Sequence, residues 1–233
     1  MTGKLYGVGV GPGDPDLITR KAWRLIESAS VIAYPILEDA RSFARRIAND
    51  AVRSDAKVIK IKIPMSVERG PAQAAYDKGA ADIADALRAG DDVIVLCEGD
   101  PFFYGSFMYL HARLKDEFEV EIVPGVSSVT ACAAAAHLPL SARNEALTII
   151  PGPVEGSLLR ARIEAAEAVA VMKVGRHLEK IKQIVEDAGL LDAAWYVEYA
   201  SLPEQVVMPL SEKTGDAPYF SMILISKGKD PWL

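Results

Sequence analysis

Leu5-Tyr6-Gly7-Val8-Gly9-Val10-Gly11-Pro12-Gly13-Asp14 is the stretch whose reading decides the architecture. Leu5 to Val10 reads as a buried strand. The glycine–proline turn after it opens onto Asp16 to Ser28, where Leu17, Ile18, Ala22, Leu25 and Ile26 recur at helical spacing. The same succession continues down the chain. Val31 to Tyr34 reads as a second strand, followed by a basic helix around Arg41, Arg45 and Arg46. Lys57 to Ile63 alternates Val58, Ile59, Ile61 and Ile63 with lysines, as a strand with one wet face does. Ala72 to Leu87 is an alanine-rich helix with Gly90 placed to cap it. Asp92 to Cys97 is the most hydrophobic strand. A helix from Gly105 to Lys115, a strand from Val120 to Val123 and a helix from Ser127 to Ala136 complete the first half. Strand–helix alternation of this kind predicts an α/β fold around a mostly parallel sheet.

His137 to Glu145 reads as a linker, with Pro139 stopping the helix before it. The rhythm then restarts with a strand at Leu147 to Ile150, a helix near Leu158 to Ala166, a strand at Val169 to Val174 and a helix near Leu178 to Ala188. Trp195 to Tyr199, Gln205 to Pro209 and Tyr219 to Ile225 follow with little helix between them, so this half is expected to end in antiparallel strands. The division expected is an N-terminal α/β domain over residues 1–138 and a C-terminal α/β domain with a mixed sheet over 139–233.

The 233 residues carry 26 Lys and Arg against 32 Asp and Glu, a formal net charge of −6. That sign argues against nucleic acid, where affinity rests on neutralised phosphates. It leaves room for a small anion met by a local cluster of cations. Cys97 and Cys132 sit in apolar surroundings without ligand spacing and read as buried free thiols, and the three histidines have no HExxH or CxxC companion. No metal site is expected. The glycines and prolines around 7–14 interrupt any secretory apolar core, and Pro124, Gly125 and Pro139 spoil the longest uncharged stretch as a membrane span. A cytoplasmic protein is expected.

Three strand-to-helix turns carry the chemistry. Gly7 to Asp14 invites a dinucleotide reading but fails the spacing, because the third glycine of the fingerprint would fall on Asp14 or on Pro12. Pro12 also removes a donor, and Asp14 and Asp16 add negative charge where phosphates would sit. The turn suits either a close approach to a ligand without phosphates or a tight turn with no ligand. At Cys97-Glu98-Gly99-Asp100-Pro101-Phe102-Phe103-Tyr104-Gly105-Ser106 an apolar strand ends in two carboxylates and three aromatics. These would receive an amine between apolar walls, or they make a turn with aromatics in the core. Val123-Pro124-Gly125-Val126-Ser127-Ser128 again joins a strand to a helix, where either serine could act as the N-cap.

In this order and spacing the three turns resemble the tetrapyrrole methylase family, and the likeness extends to Val171-Met172-Lys173-Val174-Gly175-Arg176 and Tyr196-Val197-Glu198-Tyr199-Ala200. The aromatic extension after Asp100, the Met-Lys-Val-Gly-Arg string and Tyr219 to Ile223 look most like the precorrin-2 C(20)-methyltransferase branch. The resemblance implies a homodimer of two-domain subunits, with S-adenosylmethionine held in the cleft between the domains and a tetrapyrrole as small-molecule substrate. Carried over by position, Pro12 lines the methyl donor. Glu98, Gly99, Asp100, Phe103 and Tyr104 surround its methionine part, and Ser127 and Ser128 face it. Met172, Val174 and Ala200 lie on the adenine side. Many members have Met directly before the glycine, where this chain has Val174.

The reaction so implied is displacement at the sulfonium methyl by a ring carbon, which needs no protein nucleophile. No catalytic residue is assigned, and Tyr104 and Glu98 are the candidates for handling the proton that must then leave the ring. Arg41, Arg45, Arg46, Arg143, Arg162, Lys173 and Arg176 are the cations available to substrate carboxylates, although charge runs such as Arg45-Arg46 are usually solvated helix faces. A cobalt-loaded substrate or another ring-carbon methylation stays open within the family. A nicotinamide enzyme and a tetrapyrrole-holding protein without turnover are the readings outside it.

Overall fold

The computed structural model describes residues 2–37, 42–64 and 69–228. Two compact units divide the chain at residues 127 and 128. The sequence-based boundary between 138 and 139 falls at the far end of the helix that opens the second unit.

The first unit is built on β1 (Leu5–Gly9), β2 (Val31–Leu37), β3 (Lys57–Ile63), β4 (Val93–Cys97) and β5 (Val120–Val123). They form one sheet in the order β3-β2-β4-β1-β5, with every pair parallel. The helices are α1 (Arg20–Ser28), α2 (Phe43–Ile47), α3 (Arg69–Arg88) and α4 (Phe107–Leu114). A strand covered on both faces must be apolar throughout, which is why β4 reads as an unbroken hydrophobic run. Val93, Val95 and Cys97 face Ile83 and Leu87 of α3 and Phe107 and Leu110 of α4. Ile94 and Leu96 face Ala22 and Ile26 of α1 and Ala44 and Ile47 of α2.

The helix expected from Asp16 begins only at Arg20. The Asp14 side chain accepts the N–H of Asp16 at 2.9 Å and caps a short 3-10 turn over Pro15–Leu17, and Thr19 then caps α1 by accepting from Ala22 at 3.2 Å. Two competing caps five positions apart split one apolar periodicity into two elements.

The second unit opens with α5 (Ser128–Ala135), followed by β6 (Leu147–Pro151), α6 (Gly156–Ala165), β7 (Ala168–Met172), α7 (Leu178–Asp187), β8 (Ala194–Glu198), β9 (Val206–Pro209) and β10 (Ser221–Ser226). Its sheet runs β6-β7-β10-β8-β9, parallel between β6 and β7 and antiparallel at the other contacts. One face buries Ile150, Val169, Val171, Tyr196, Ile223 and Ile225 against Leu159 and Ile163 of α6 and Ile181, Ile184 and Val185 of α7. Helix α5 packs with β10. The antiparallel character expected of the last three strands is what the sheet has.

Both cysteines are buried free thiols, and burial pushes the Cys132 thiol up to about 12 and Cys97 higher still. Among the described residues no helix is long and apolar enough to cross a membrane, and no group of three or more His, Cys, Asp or Glu could hold a metal ion.

Candidate active site

In the first unit the turns after β1, β4 and β5 meet, because β1 lies between β4 and β5 and all three strands point the same way. Ligands collect beyond the carboxyl ends of such strands. Gly11 and Gly99 form an isolated antiparallel bridge, with Gly11 N–H donating to the Gly99 carbonyl at 3.3 Å and Gly99 N–H to the Gly11 carbonyl at 2.8 Å. The third turn closes on the other two. A β-carbon on Gly9 would stand 2.5 Å from the Gly99 oxygen and 2.6 Å from the Gly125 nitrogen, and one on Gly125 would be closer still to that oxygen. Only glycine lets three backbones approach in this way.

Asp100 fastens the arrangement. Its Oδ1 accepts from the N–H groups of Phe102 at 2.9 Å and Phe103 at 3.1 Å, and its Oδ2 accepts from Gly125 N–H at 3.1 Å. This carboxylate therefore turns towards backbone and ties the second turn to the third. One consequence concerns the ligand. The N–H groups of Gly11, Gly99, Phe102, Phe103 and Gly125 are all engaged internally, and Pro12, buried in the first turn, has none. A phosphate cradle needs several backbone N–H groups converging on open space. These five donors are not available for one. The open side of Gly99, held at φ +61, has only the Val126 carbonyl oxygen within 4 Å of where a β-carbon would stand, at 3.9 Å. Such a cradle fits a cationic or amine-bearing ligand.

Glu98 is half-buried, and that burial raises its carboxyl above the ordinary range; the Ala44 N–H of α2, with its own backbone, pulls the other way. Phe103 and Tyr104 meet edge to face with ring centroids 5.2 Å apart. Tyr104 is 40% exposed and sits at φ 55, a left-handed conformation that costs an aromatic residue about 1–3 kcal/mol and that clusters at functional sites. The loop is steadied from behind by Tyr76 of α3, whose hydroxyl lies beside Ser106 and whose ring packs 4.9 Å from that of Tyr109. Ser127 ends this unit and is half-buried.

The remaining expected positions belong to the second unit, where Ser128 is the first residue of α5. Met172, Val174 and Ala200 are brought to one end of its sheet. Strand β10 runs between β7 and β8, so its first residue meets the loops that leave both. Val174 N–H donates to the Ser221 carbonyl at 3.4 Å, and Tyr199 N–H to the Phe220 carbonyl at 3.0 Å. All three side chains are buried, so what these loops present is backbone. Lys173, Tyr199 and Ser201 take left-handed φ values of 57, 47 and 66.

The cations are less concentrated. Arg45 donates to Asn49 at 3.1 Å, Arg46 lies 5.8 Å from the Phe43 ring on the same short helix, and Arg162 is exposed on α6. Lys173 and Arg176 flank the turn after β7. Arg41 lies outside the described residues. Sequence reasoning missed a polar cluster behind that turn, formed by the buried Tyr196 and Ser221 with the partly buried Glu198 and Lys213. Its signal was present in Tyr196-Val-Glu198, since residues two apart on a strand share a face.

The profile of the Tetrapyrrole (Corrin/Porphyrin) Methylases matches residues 4–214. A precorrin-2 C(20)-methyltransferase of Sinorhizobium sp is 38% identical over 237 residues, covering 98% of this chain and 97% of that protein. A cobalt-precorrin-2 C(20)-methyltransferase of Salmonella typhimurium is 32% identical, covering 97% and 98%. Among solved structures, a uroporphyrin-III C-methyltransferase of Thermus thermophilus in complex with S-adenosylhomocysteine is 26% identical, with a TM-score of 0.68 over 95% of this chain and 97% of that one.

Proposed function

From the premise that this chain belongs to the tetrapyrrole methylase family, we propose that it transfers the methyl group of S-adenosylmethionine to carbon 20 of precorrin-2, giving precorrin-3A. The observation that carries the reaction class is the convergence of three glycine turns whose N–H groups are engaged with one another and with Asp100. With those donors taken, and the Val126 carbonyl oxygen beside the open side of Gly99, the turns suit a sulfonium donor bearing an ammonium group and no phosphate. Carbon 20 follows from the full-length likeness to C(20)-methyltransferases.

The donor supplies a methyl carbon already activated by positive charge. The ring carbon forms a bond to it, the carbon–sulfur pair returns to sulfur, neutral S-adenosylhomocysteine is left, and the substituted ring carbon releases its proton. The protein's task is orientation. Holding two reactants in near-attack geometry contributes roughly 7–11 kcal/mol. In this reading Pro12, Glu98, Gly99, Asp100, Phe103, Tyr104, Ser127 and Ser128 surround the methionine end, with Asp100 acting by fixing the turns. The backbone at Met172, Val174 and Ala200 takes the adenine. Tyr104 and Glu98 are the candidates for handling the proton. A homodimer working in the cytoplasm completes the reading, and sedimentation equilibrium checks the subunit count.

Incubation with precorrin-2 and methyl-labelled S-adenosylmethionine, with the label located by NMR, tests the proposal. Label at carbon 20 is expected, and label elsewhere or no transfer refutes it. The likeness to the Salmonella enzyme supports a second reading, in which the substrate carries cobalt. Parallel turnover with metal-free and cobalt-loaded tetrapyrrole decides between them.

A further inference from the structure

Behind the turn after β7 lies a group of buried and partly buried polar side chains that methyl transfer does not use directly. Tyr196 is fully buried, with its ring in the core of the second unit. Its hydroxyl donates to Glu198 Oε1 at 2.6 Å. The same oxygen takes Lys213 Nζ at 3.0 Å, and that ammonium lies 4.9 Å from the Tyr196 ring centroid. The Tyr196 hydroxyl lies beside that of Ser221. Ser221, 6% exposed, donates its hydroxyl to the Pro218 carbonyl at 2.5 Å and accepts Gly175 N–H on the same oxygen at 3.3 Å. Its own carbonyl accepts Val174 N–H at 3.4 Å. One residue therefore holds two successive N–H groups of a turn whose flanking residues, Lys173 at φ 57 and Gly175 at φ 40, are both left-handed. A strained turn persists only where its surroundings over-determine it, and here the surroundings are this chain of hydroxyls, carboxylate and ammonium.

We propose that Ser221 and Tyr196 are positioning residues for the methyl donor: through Gly175 and Val174 they fix the backbone of the turn that meets its adenosyl portion, and so set donor affinity without taking part in transfer. The inference rests on the functional reading above. An engaged hydroxyl contributes modestly to a net equilibrium, so removing one should weaken S-adenosylhomocysteine binding about fivefold to tenfold.

The test uses the full-length protein with Ser221→Ala, and with Tyr196→Phe, which keeps the ring and removes only the hydroxyl. Calorimetric titration with S-adenosylhomocysteine should give the weakened dissociation constant. Steady-state kinetics should show KM for the donor rising by the same factor, with kcat and the tetrapyrrole KM within about twofold. Hydrogen exchange in the ligand-free protein should speed up at the Val174 and Gly175 amides in Ser221→Ala. If that variant fails to fold, Tyr196→Phe carries the titration alone. Unchanged donor affinity in a folded variant overturns the inference, as does a fall in kcat at constant donor KM. A wild-type protein that binds no S-adenosylhomocysteine, in which those two amides still loosen on Ser221→Ala, sinks the functional reading and leaves the mechanical one standing.

Discussion

Asp100→Asn is the most informative single substitution in the first unit. The carboxylate accepts three backbone N–H groups, from Phe102, Phe103 and Gly125. In the variant the amide oxygen can keep the first two as neutral bonds, but the amide nitrogen then faces Gly125 N–H, donor against donor. A hydrogen bond to a charged group is worth roughly 1.5–3 kcal/mol and a neutral one about 0.5–1.5. Losing one bond and weakening two others gives about 2–4 kcal/mol, and water reaching this half-buried loop reduces that to about 2–3. For a folding unit of this size such a loss lowers Tm by roughly 6–12 °C. Differential scanning calorimetry measures the change, and binding of S-adenosylhomocysteine should weaken in step, because the turns that Asp100 ties together are the same turns proposed to meet the ligand. Had Asp100 acted as a direct partner of the ligand's amine, the variant would lose affinity while melting at the wild-type temperature. That pattern, or a Tm within about 2 °C of wild type together with full affinity, would show that the backbone clamp is not its role.

Gly125→Ala places a β-carbon inside the Gly99 carbonyl contact, so the turns must separate; a loss of at least about 2 kcal/mol by urea unfolding is expected, in the range of other strained or overpacked sites, and a variant as stable as wild type contradicts the close approach. Glu98→Gln should change how stability depends on pH. Burial raises the folded carboxyl above its unfolded value, so the native state holds the proton more tightly, and wild-type stability falls as pH rises from the ordinary carboxylate range through the raised value. The variant escapes that fall, and its stability relative to wild type should improve across this interval and be constant below it; the opposite slope in paired urea titrations rejects the assignment. Tyr104→Phe should lower kcat while leaving S-adenosylhomocysteine affinity intact, and unchanged turnover removes Tyr104 from the proton's path.

The architecture was legible because burial on two faces leaves a mark that a strand cannot hide. Val93 to Cys97 is apolar at every position since α3 and α4 cover one face and α1 and α2 the other. The three turns were legible as glycine-rich strand ends, but their meeting depends on β1 lying between β4 and β5, a neighbour relation that no local pattern encodes. The start of α1 was misjudged because Leu17 and Ile18 continue the helical spacing while Asp14 and Thr19 each form a separate cap. Asp100 could be read as acidic and in a turn. That it would face inward to three N–H groups followed only from the register that carries Gly125 beside it. The Tyr196–Ser221 contact joins residues on adjacent antiparallel strands, and its signature was the two-residue spacing of Tyr196 and Glu198, which is common enough in strands to carry no weight by itself.

Strained backbone recurs at strand ends in each of the two units. Of the six left-handed residues other than glycine among the described residues, Tyr104 lies in the turn after β4, Lys173, Tyr199 and Ser201 lie in the loops that leave β7 and β8, and His137 and Arg143 lie in the segment between α5 and β6. Each such conformation costs on the order of 1 kcal/mol or more, a sum comparable with a sizeable part of the net stability of a domain. None of the four at strand ends is needed to close a sheet, since β4, β7 and β8 end before the strained residue. A loop selected only to connect a strand to its successor would relax such positions to glycine or to extended backbone. Their retention at strand ends, beside Asp100 and Tyr76 in one unit and beside Ser221 and Tyr196 in the other, is what a rigid binding mould in each unit requires, because a preorganised backbone loses no ordering entropy when a ligand arrives. Tyr104→Gly and Lys173→Gly should therefore stabilise the ligand-free protein and weaken S-adenosylhomocysteine binding at the same time. Variants in which stability and affinity rose together would show that the strain serves no mould.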